Sequence, residues 1–272
     1  MSRVLLSLLL LVLCSCSAPA RGPEPDLHRS GGPTVQILVF GDQRPSCSTG
    51  IYAPAVGLVQ RQVVAEAPNA DLIIATGDYL CAWPHEQAKA LAQLMTWMEP
   101  FPAGIWKKSV IALGNHEVGH HQILRSGQTA TTPQGFAEIL GVRVVWLPSD
   151  ADLAHVLTRD WLDQALTFPG RLVVVRHEPW GALGTRGDGW IRDRVRAASP
   201  TLVLHGHVHT WAIPGQIVDG VTLGRREVVV GNGGAPTAPW YGVTRVTLAP
   251  DGAVTVIGVD TSGLERDRVW IP

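Results

Sequence analysis

Thr201-Leu202-Val203-Leu204-His205-Gly206-His207-Val208-His209 is the stretch on which the reading of the fold turns. Its first four residues, Thr201–Leu204, form an apolar run without polar alternation, the pattern of a strand buried on both faces. The run stops at His205-Gly206-His207, and two histidines then stand one residue apart. The same phrase, an apolar run broken at a small or polar residue, recurs upstream. Thr34–Phe40 breaks at Gly41-Asp42, Asp71–Thr76 at Gly77-Asp78, Ser109–Leu113 at Gly114-Asn115, and Arg171–Arg176 at His177. Helical spacing fills the intervals at Pro54–Ala67, His85–Glu99, Leu153–Leu166 and Gly189–Ala198, and Val142–Leu147 reads as a further strand. Strands alternating with helices imply parallel crossovers. In such a sheet the ligand site lies beyond the carboxyl ends of the strands. Asp42, Asp78, Asn115, His177 and the His207/His209 pair each follow a different strand, so residues far apart in sequence converge on one edge. The tail, Val218–Ile271, loses helical periodicity and reads as successive antiparallel strands with Gly-rich turns. The fold class is α/β, with one domain over residues 34–272.

The converging residue types have a chemistry in common. Carboxylate and imidazole ligands suit divalent transition metals such as Mn, Fe and Zn. Two such ions about 3.5–4 Å apart hold a nucleophilic hydroxide and the phosphoryl oxygens of an in-line displacement together. A glycine before Asp42, Asp78, Asn115 and His207 lets the backbone turn sharply where the strand ends.

The ordered set Gly41-Asp42, Gly77-Asp78, Gly114-Asn115-His116-Glu117, His177-Glu178-Pro179 and Gly206-His207-Val208-His209 resembles the calcineurin-like metallophosphoesterase superfamily. The resemblance implies a metallophosphatase-type αββα sandwich, two packed mixed sheets flanked by helices. It also implies two divalent transition-metal ions and a phosphomonoester or phosphodiester substrate. By the same resemblance Asp78 bridges the ions, Asp42 and His209 serve one, and Asn115, His177 and His207 serve the other. His116 then protonates the leaving group or contacts the phosphoryl oxygens, and Glu117 orients His116. Members of the superfamily usually carry Asp-x-His in the first motif, whereas here Asp42-Gln43-Arg44 puts Arg44 at the third position. Arginine offers donors only and does not ligate a cation, but its fork suits a bidentate grip on phosphate. Some purple acid phosphatase-like relatives place a tyrosine three residues after the bridging aspartate. That position is Cys81, and Tyr79 stands too close to Asp78 for the role to carry over.

Two other functions compete. His116-Glu117-Val118-Gly119-His120 satisfies H-E-x-x-H, the zinc-protease signature, with Glu138 as a third ligand. That chemistry needs both histidines on one helix face, and a stretch that opens at a strand end and contains Gly119 is turn-like. The other is an exported metal-binding lipoprotein without turnover, motivated by Arg44. His120 and His121 read as exposed loop histidines. Trp83, Trp180, Trp190, Trp211 and Trp240 fall near the site-bearing loops, where packing and stacking on a substrate both fit. Gly231-Asn232-Gly233-Gly234 reads as a turn between late strands.

The bulk of the chain sets the frame for these motifs. Its 272 residues are 46% apolar and 17% charged with a formal net charge of −1, which supplies a core and no basic patch for nucleic acid. Met1-Ser2-Arg3 and the apolar run Val4–Leu13 form a signal peptide too short for a permanent span. It ends in Leu13-Cys14-Ser15-Cys16, which resembles a bacterial lipobox with Cys16 as the acylated residue; an ordinary cleaved signal peptide with incidental cysteines is the other reading. The domains are then a leader over 1–16, a Pro/Gly-rich tether over 17–33, and the phosphoesterase unit. The leader implies export to the bacterial cell envelope, lipid-anchored to a membrane. An oxidising compartment permits a bridge between Cys47 and Cys81; two buried free thiols are the other reading, and the sequence leaves both open.

Overall fold

The computed structural model describes residues 32–120, 132–149, 157–182, 188–235 and 238–272. The leader with Cys16, the tether through residue 31, and His121 lie outside these residues. Among the described residues no helix is long and apolar enough to cross a membrane.

The apolar runs form the strands that the sequence predicts, shifted by a residue or two. The first sheet contains β1 (Val35–Phe40), β2 (Leu72–Ala75), β3 (Ser109–Ile111), β12 (Gly242–Leu248), β13 (Val254–Asp260) and β14 (Glu265–Ile271), in the order β14-β13-β12-β1-β2-β3. β1, β2 and β3 are mutually parallel and the other three are antiparallel. The second sheet contains β4 (Gly135–Ile139), β5 (Val142–Trp146), β6 (Arg171–Val175), β7 (Leu202–His205), β8 (Trp211–Ala212) and β11 (Glu227–Val230), ordered β4-β5-β6-β7-β11-β8. β9 (Ile217–Val218) and β10 (Val221–Thr222) make a small hairpin between them. Both sheets are mixed, as expected.

Three apolar layers hold the domain together. Val35, Ile37, Val39, Ile74, Val173, Leu204, Val228 and Val256 belong to the layer between the sheets. On the outer face of the first sheet, Leu38, Phe40, Ile73 and Val259 meet α1 (Pro54–Glu66), α2 (Gln87–Met98) and α3 (Ala103–Trp106). On the outer face of the second, Val145, Leu172, Val174 and Val203 meet α4 (Arg159–Leu166) and α5 (Gly189–Ala197). Strands β1, β2, β6 and β7 thus bury side chains on both faces, which is why their runs lack alternation. Each fully buried aliphatic side chain contributes about 1.5–3 kcal/mol. The helices start where their sequences favour it. Pro54 occupies the first turn of α1. Thr158 caps α4 by accepting from the Trp161 amide at 3.2 Å.

Two expectations for the later chain need correction. β11 does not join the antiparallel tail but lies parallel to β7 in the second sheet. Its fully buried Glu-Val-Val-Val segment carries the same non-alternating signature as the earlier parallel strands. β4, which had no predicted counterpart, pairs antiparallel with β5 as an edge strand. Gly231-Asn232-Gly233-Gly234 does turn between late strands, joining β11 to β12. A side chain on Gly233 would collide with the Gly41 carbonyl, so this turn runs directly against the loop after β1.

Cys47 and Cys81 are joined as a disulfide with Cα atoms 5.0 Å apart. β1 and β2 are parallel neighbours, so the loops that follow them leave the sheet side by side and the bridge ties them together.

Candidate metal centre

Each sheet delivers three of the six ligand-type residues to the edge where the sheets meet. Asp42, Asp78 and Asn115 stand on the loops after β1, β2 and β3. His177 follows β6, and His207 and His209 follow β7. Asp42, Asp78 and His207 adopt φ values of 56°, 62° and 69°. That left-handed region costs a residue with a Cβ about 1–2 kcal/mol, and strain of this kind collects at functional sites. The loops are locked around it. The Asp42 amide donates to the Gly77 carbonyl at 2.9 Å, and the Ala235 amide donates to the Asp42 carbonyl at 2.9 Å. The His207 amide donates to Asp42 Oδ2 at 3.1 Å.

The decisive geometry surrounds His177, which is fully buried. Its Nδ1 lies 2.9 Å from the Thr76 carbonyl, a contact that requires the proton on Nδ1. Its Nε2 then faces Asn115 Oδ1 at 3.2 Å and Asp78 Oδ1 at 3.2 Å. His207 Nδ1 lies 3.1 Å from the same Asn115 oxygen. A neutral His177 therefore turns a lone pair toward two oxygens that themselves offer only lone pairs. Such a convergence is balanced by a cation among the acceptors or by a second proton on the ring. The carbonyl behind Nδ1 is the partner a metal-ligating histidine needs to fix its tautomer. Burial alone lowers the His177 pKa, but the Asp78 carboxylate overrides it and holds the ring well above its ordinary value. The same pair holds Asp78 well below the usual carboxylate range, against the opposing effect of its burial.

The second half is looser. His209 Nε2 lies 3.8 Å from Asp42 Oδ1, an oxygen that is buried without a hydrogen-bond partner. Burial, and then the nearby Asp78 charge, push Asp42 well above the usual carboxylate range although His177 opposes them. A buried carboxylate oxygen in that position calls for positive charge. Asp42, Asp78 and His177 each bring a ligand atom within 4.8 Å of the others. The donor set fits divalent transition metals.

The chain matches the calcineurin-like phosphoesterase family over residues 26–211, a span that contains every motif from Asp42 to His209. The chain belongs to that family. A search of curated proteins finds no match. Among solved structures, this calcineurin-like phosphoesterase is similar to a purple acid phosphatase from yellow lupin seeds, with a TM-score of 0.63 and 16% identity. That match covers 88% of this chain and 54% of the lupin protein, so the chain spans about half of that protein's length. A dimetal phosphatase from Danio rerio gives a TM-score of 0.58 at 14% identity, covering 88% of this chain and 99% of the fish protein. At such identities the likeness is one of fold.

The phosphoesterase's remaining site residues divide into those that face the centre and those that support it. Arg44 Nε lies 3.6 Å from Asp78 Oδ2, so the guanidinium sits against the proposed bridging carboxylate. His116 turns Nε2 toward Asp78 Oδ2 at 3.8 Å while its amide donates to Asp78 Oδ1 at 3.3 Å. Its pKa is lowered, first by burial and then by the Arg44 charge, with Asp78 opposing. Glu117 does not orient His116. Its buried carboxylate accepts from the amides of Asp78 and Gly114 through Oε2 (2.8 and 2.7 Å) and from those of Tyr79 and Leu80 through Oε1 (2.8 and 3.0 Å). It shapes the loop after β2. Burial and the Asp78 charge push it up to about 7, although the amides favour the ionised form.

The protease geometry is absent. Residues 115–119 form turns, not a helix, and Glu138 lies on β4 paired with Arg143. His120 is buried, with Nε2 3.2 Å from the Ala82 carbonyl, so it is not an exposed loop histidine. Tyr79 is likewise structural, its hydroxyl donating to the Ala112 carbonyl at 2.9 Å. Trp180 stacks on Arg176 and meets His205 edge-on, and Trp211 packs against Trp240. Trp83 is 70% exposed. Sequence reasoning missed Thr76, whose contribution is a backbone carbonyl and leaves no trace in residue type.

Proposed function

We propose that this protein hydrolyses a phosphomonoester or phosphodiester at a centre of two divalent transition-metal ions. Asn115, His177 and His207 would hold one ion and Asp42 and His209 the other, with Asp78 available to both. The observation that carries the reading is the convergence of the buried His177 Nε2 and Asp78 Oδ1 with Asn115 Oδ1. Bound ions supply Lewis-acid charge to the phosphoryl oxygens and make water a competent nucleophile near neutral pH. The chain's own groups do the rest. Arg44, with its planar array of donors, grips phosphoryl oxygens beside Asp78. His116 delivers a proton from Nε2 to the departing oxygen. Thr76 holds His177 in one tautomer, and the Glu117 carboxylate keeps the Asp78 loop in its strained form.

Arg44 also favours a second reading, a metal-binding protein without turnover, because its guanidinium already sits against Asp78. Metal analysis paired with hydrolysis of generic monoesters and diesters separates the two. Two ions per chain with turnover, both lost in Asp78→Ala, is the expected result. Bound metal with no turnover on any phosphoester sinks the enzymatic reading. Export and acylation at Cys16 belong to the same proposal and rest on the leader sequence alone. Radiolabelled palmitate incorporation that disappears in Cys16→Ser is the expected outcome, and labelling that persists there overturns the assignment.

A further inference from the structure

The disulfide between Cys47 and Cys81 has no part in the hydrolysis proposed above, yet it stands against the centre. Cys81 Sγ lies 3.4 Å from His116 Nδ1, the ring nitrogen that faces away from Asp78. Ligand atoms of Cys47, Cys81 and His116 all fall within 4.8 Å of one another. A tetrahedral zinc ion with bonds of about 2.3 Å to sulfur and about 2.0–2.1 Å to nitrogen separates sulfur from nitrogen by about 3.6 Å and sulfur from sulfur by about 3.8 Å. The Cys81 sulfur–nitrogen spacing is already close to that of a shared ion, the Cys47 sulfur lies within 4.8 Å of the same nitrogen, and the two sulfurs need to part.

We propose that the reduced protein binds a soft divalent ion, zinc or a like cation, on the thiolates of Cys47 and Cys81 and on Nδ1 of His116. The site is distinct from the Asp78 centre, whose ligands are oxygen and nitrogen, and it does not depend on the phosphoesterase reading. Sulfur ligands select softer ions than carboxylates do. Two thiolates neutralise a divalent ion, so Arg44, whose Nη1 donates to Cys47 Sγ at 3.2 Å, faces a neutral cluster. An ion on Nδ1 leaves the His116 proton on Nε2, the nitrogen that faces Asp78.

The site opens by reduction with a dithiol. Cys47 is exposed and Cys81 only 6% accessible, so the reductant thiolate attacks Cys47 Sγ. The Cys47–Cys81 bond breaks, Cys81 leaves as thiolate, and a mixed disulfide forms on Cys47. The second thiol of the reductant resolves it, which oxidises the reductant to its own disulfide and leaves two thiols on the protein. Binding of the ion then displaces their protons to solvent.

The test uses the full chain carrying Cys14→Ser and Cys16→Ser, reduced with dithiothreitol, desalted without oxygen and titrated with cobalt(II). A sulfur-to-cobalt charge-transfer band that saturates at the intensity of one sulfur-bound ion per chain is expected. The band is absent from the oxidised protein and from Cys47→Ser/Cys81→Ser, and His116→Ala weakens cobalt binding at least tenfold. Cobalt at the Asp78 centre has no sulfur ligand and cannot produce it. No band in the reduced protein, or an affinity untouched by His116→Ala, overturns the proposal. A second measurement needs no site variant: zinc slows alkylation of Cys47 by iodoacetamide in the reduced protein, followed by mass spectrometry. Alkylation at an unchanged rate overturns the site even where the variants fail to fold.

Discussion

Gly77→Ala places a methyl group where the centre has no room, and its effect can be worked out term by term. Gly77 has φ of +114°, and a Cβ there would lie 2.5 Å from His177 Nδ1 and 2.7 Å from the Gly114 amide nitrogen. Forcing alanine into positive φ costs about 1 kcal/mol or slightly more. Crowding a packed site adds about 1–3 kcal/mol. Moving the His177 ring off the Thr76 carbonyl removes a further hydrogen bond of about 1 kcal/mol. The expected loss of stability is about 3–5 kcal/mol, read as a fall in the urea midpoint in the presence of chelator. Gly215→Ala is the internal control, because Gly215 has φ of +84° and nothing within 4 Å of its Cβ position. It carries the backbone term alone, about 1 kcal/mol. The difference between the two variants isolates the collision with His177. If Gly77→Ala is no more destabilising than Gly215→Ala, the packing described around His177 is wrong. A second consequence follows from losing the histidine's orienting partner, a metal affinity about 10–100-fold weaker, measured by calorimetric titration of refolded protein.

Arg44→Ala is expected to raise KM for a phosphoester while leaving metal content unchanged by elemental analysis; loss of metal instead removes the phosphate-gripping role. Glu117→Ala strands four buried amide donors at about 1–3 kcal/mol each. That penalty outweighs the relief of removing an acid that burial and Asp78 push up to about 7. A lower denaturation midpoint is expected, and an unchanged one refutes the loop-shaping role. Asp260 is held down to about 2, first by the Ser262 hydroxyl bond and further by the Leu264 amide and Arg266. Its folded pKa lies below its unfolded one, so its stabilisation is complete above the ordinary carboxylate value and is lost as pH falls through about 2. Between pH 5 and pH 2.5 the wild-type denaturation midpoint should fall more steeply than that of Asp260→Asn, and equal slopes contradict this assignment.

The convergence of the candidate ligands was legible because each follows the end of a two-face-buried strand, and a parallel sheet gathers such strand ends at one edge. Asp42, Asp78, Asn115, His177, His207 and His209 all arrive there for that one reason. What stayed hidden is what depends on backbone atoms or on non-local packing. Glu117 reads as a partner for the adjacent His116, but its four donors are amides, three of them in the loop after β2 and out of reach of any local pattern. His120 looks like a loop histidine, yet the turn at Gly119 packs against Pro84 and buries the ring. β11 shares the burial signature of the parallel strands, but the element before it in sequence is the short β9–β10 hairpin. Its place beside β7 follows from a parallel return within the second sheet, past β8 and the β9–β10 hairpin, that residue types do not encode.

The even division of ligands between the sheets has a consequence for folding as well as for chemistry. Asp42, Asp78 and Asn115 ride on one sheet, and His177, His207 and His209 on the other, so any ion shared among them is a rivet across the interlayer seam. Separating the two sheets destroys the site, and occupying the site opposes their separation. Once free ion exceeds its dissociation constant, each further tenfold rise adds about 1.4 kcal/mol to the folded state. On the proposed two-metal reading, the melting temperature would be a gauge of the metal around the protein.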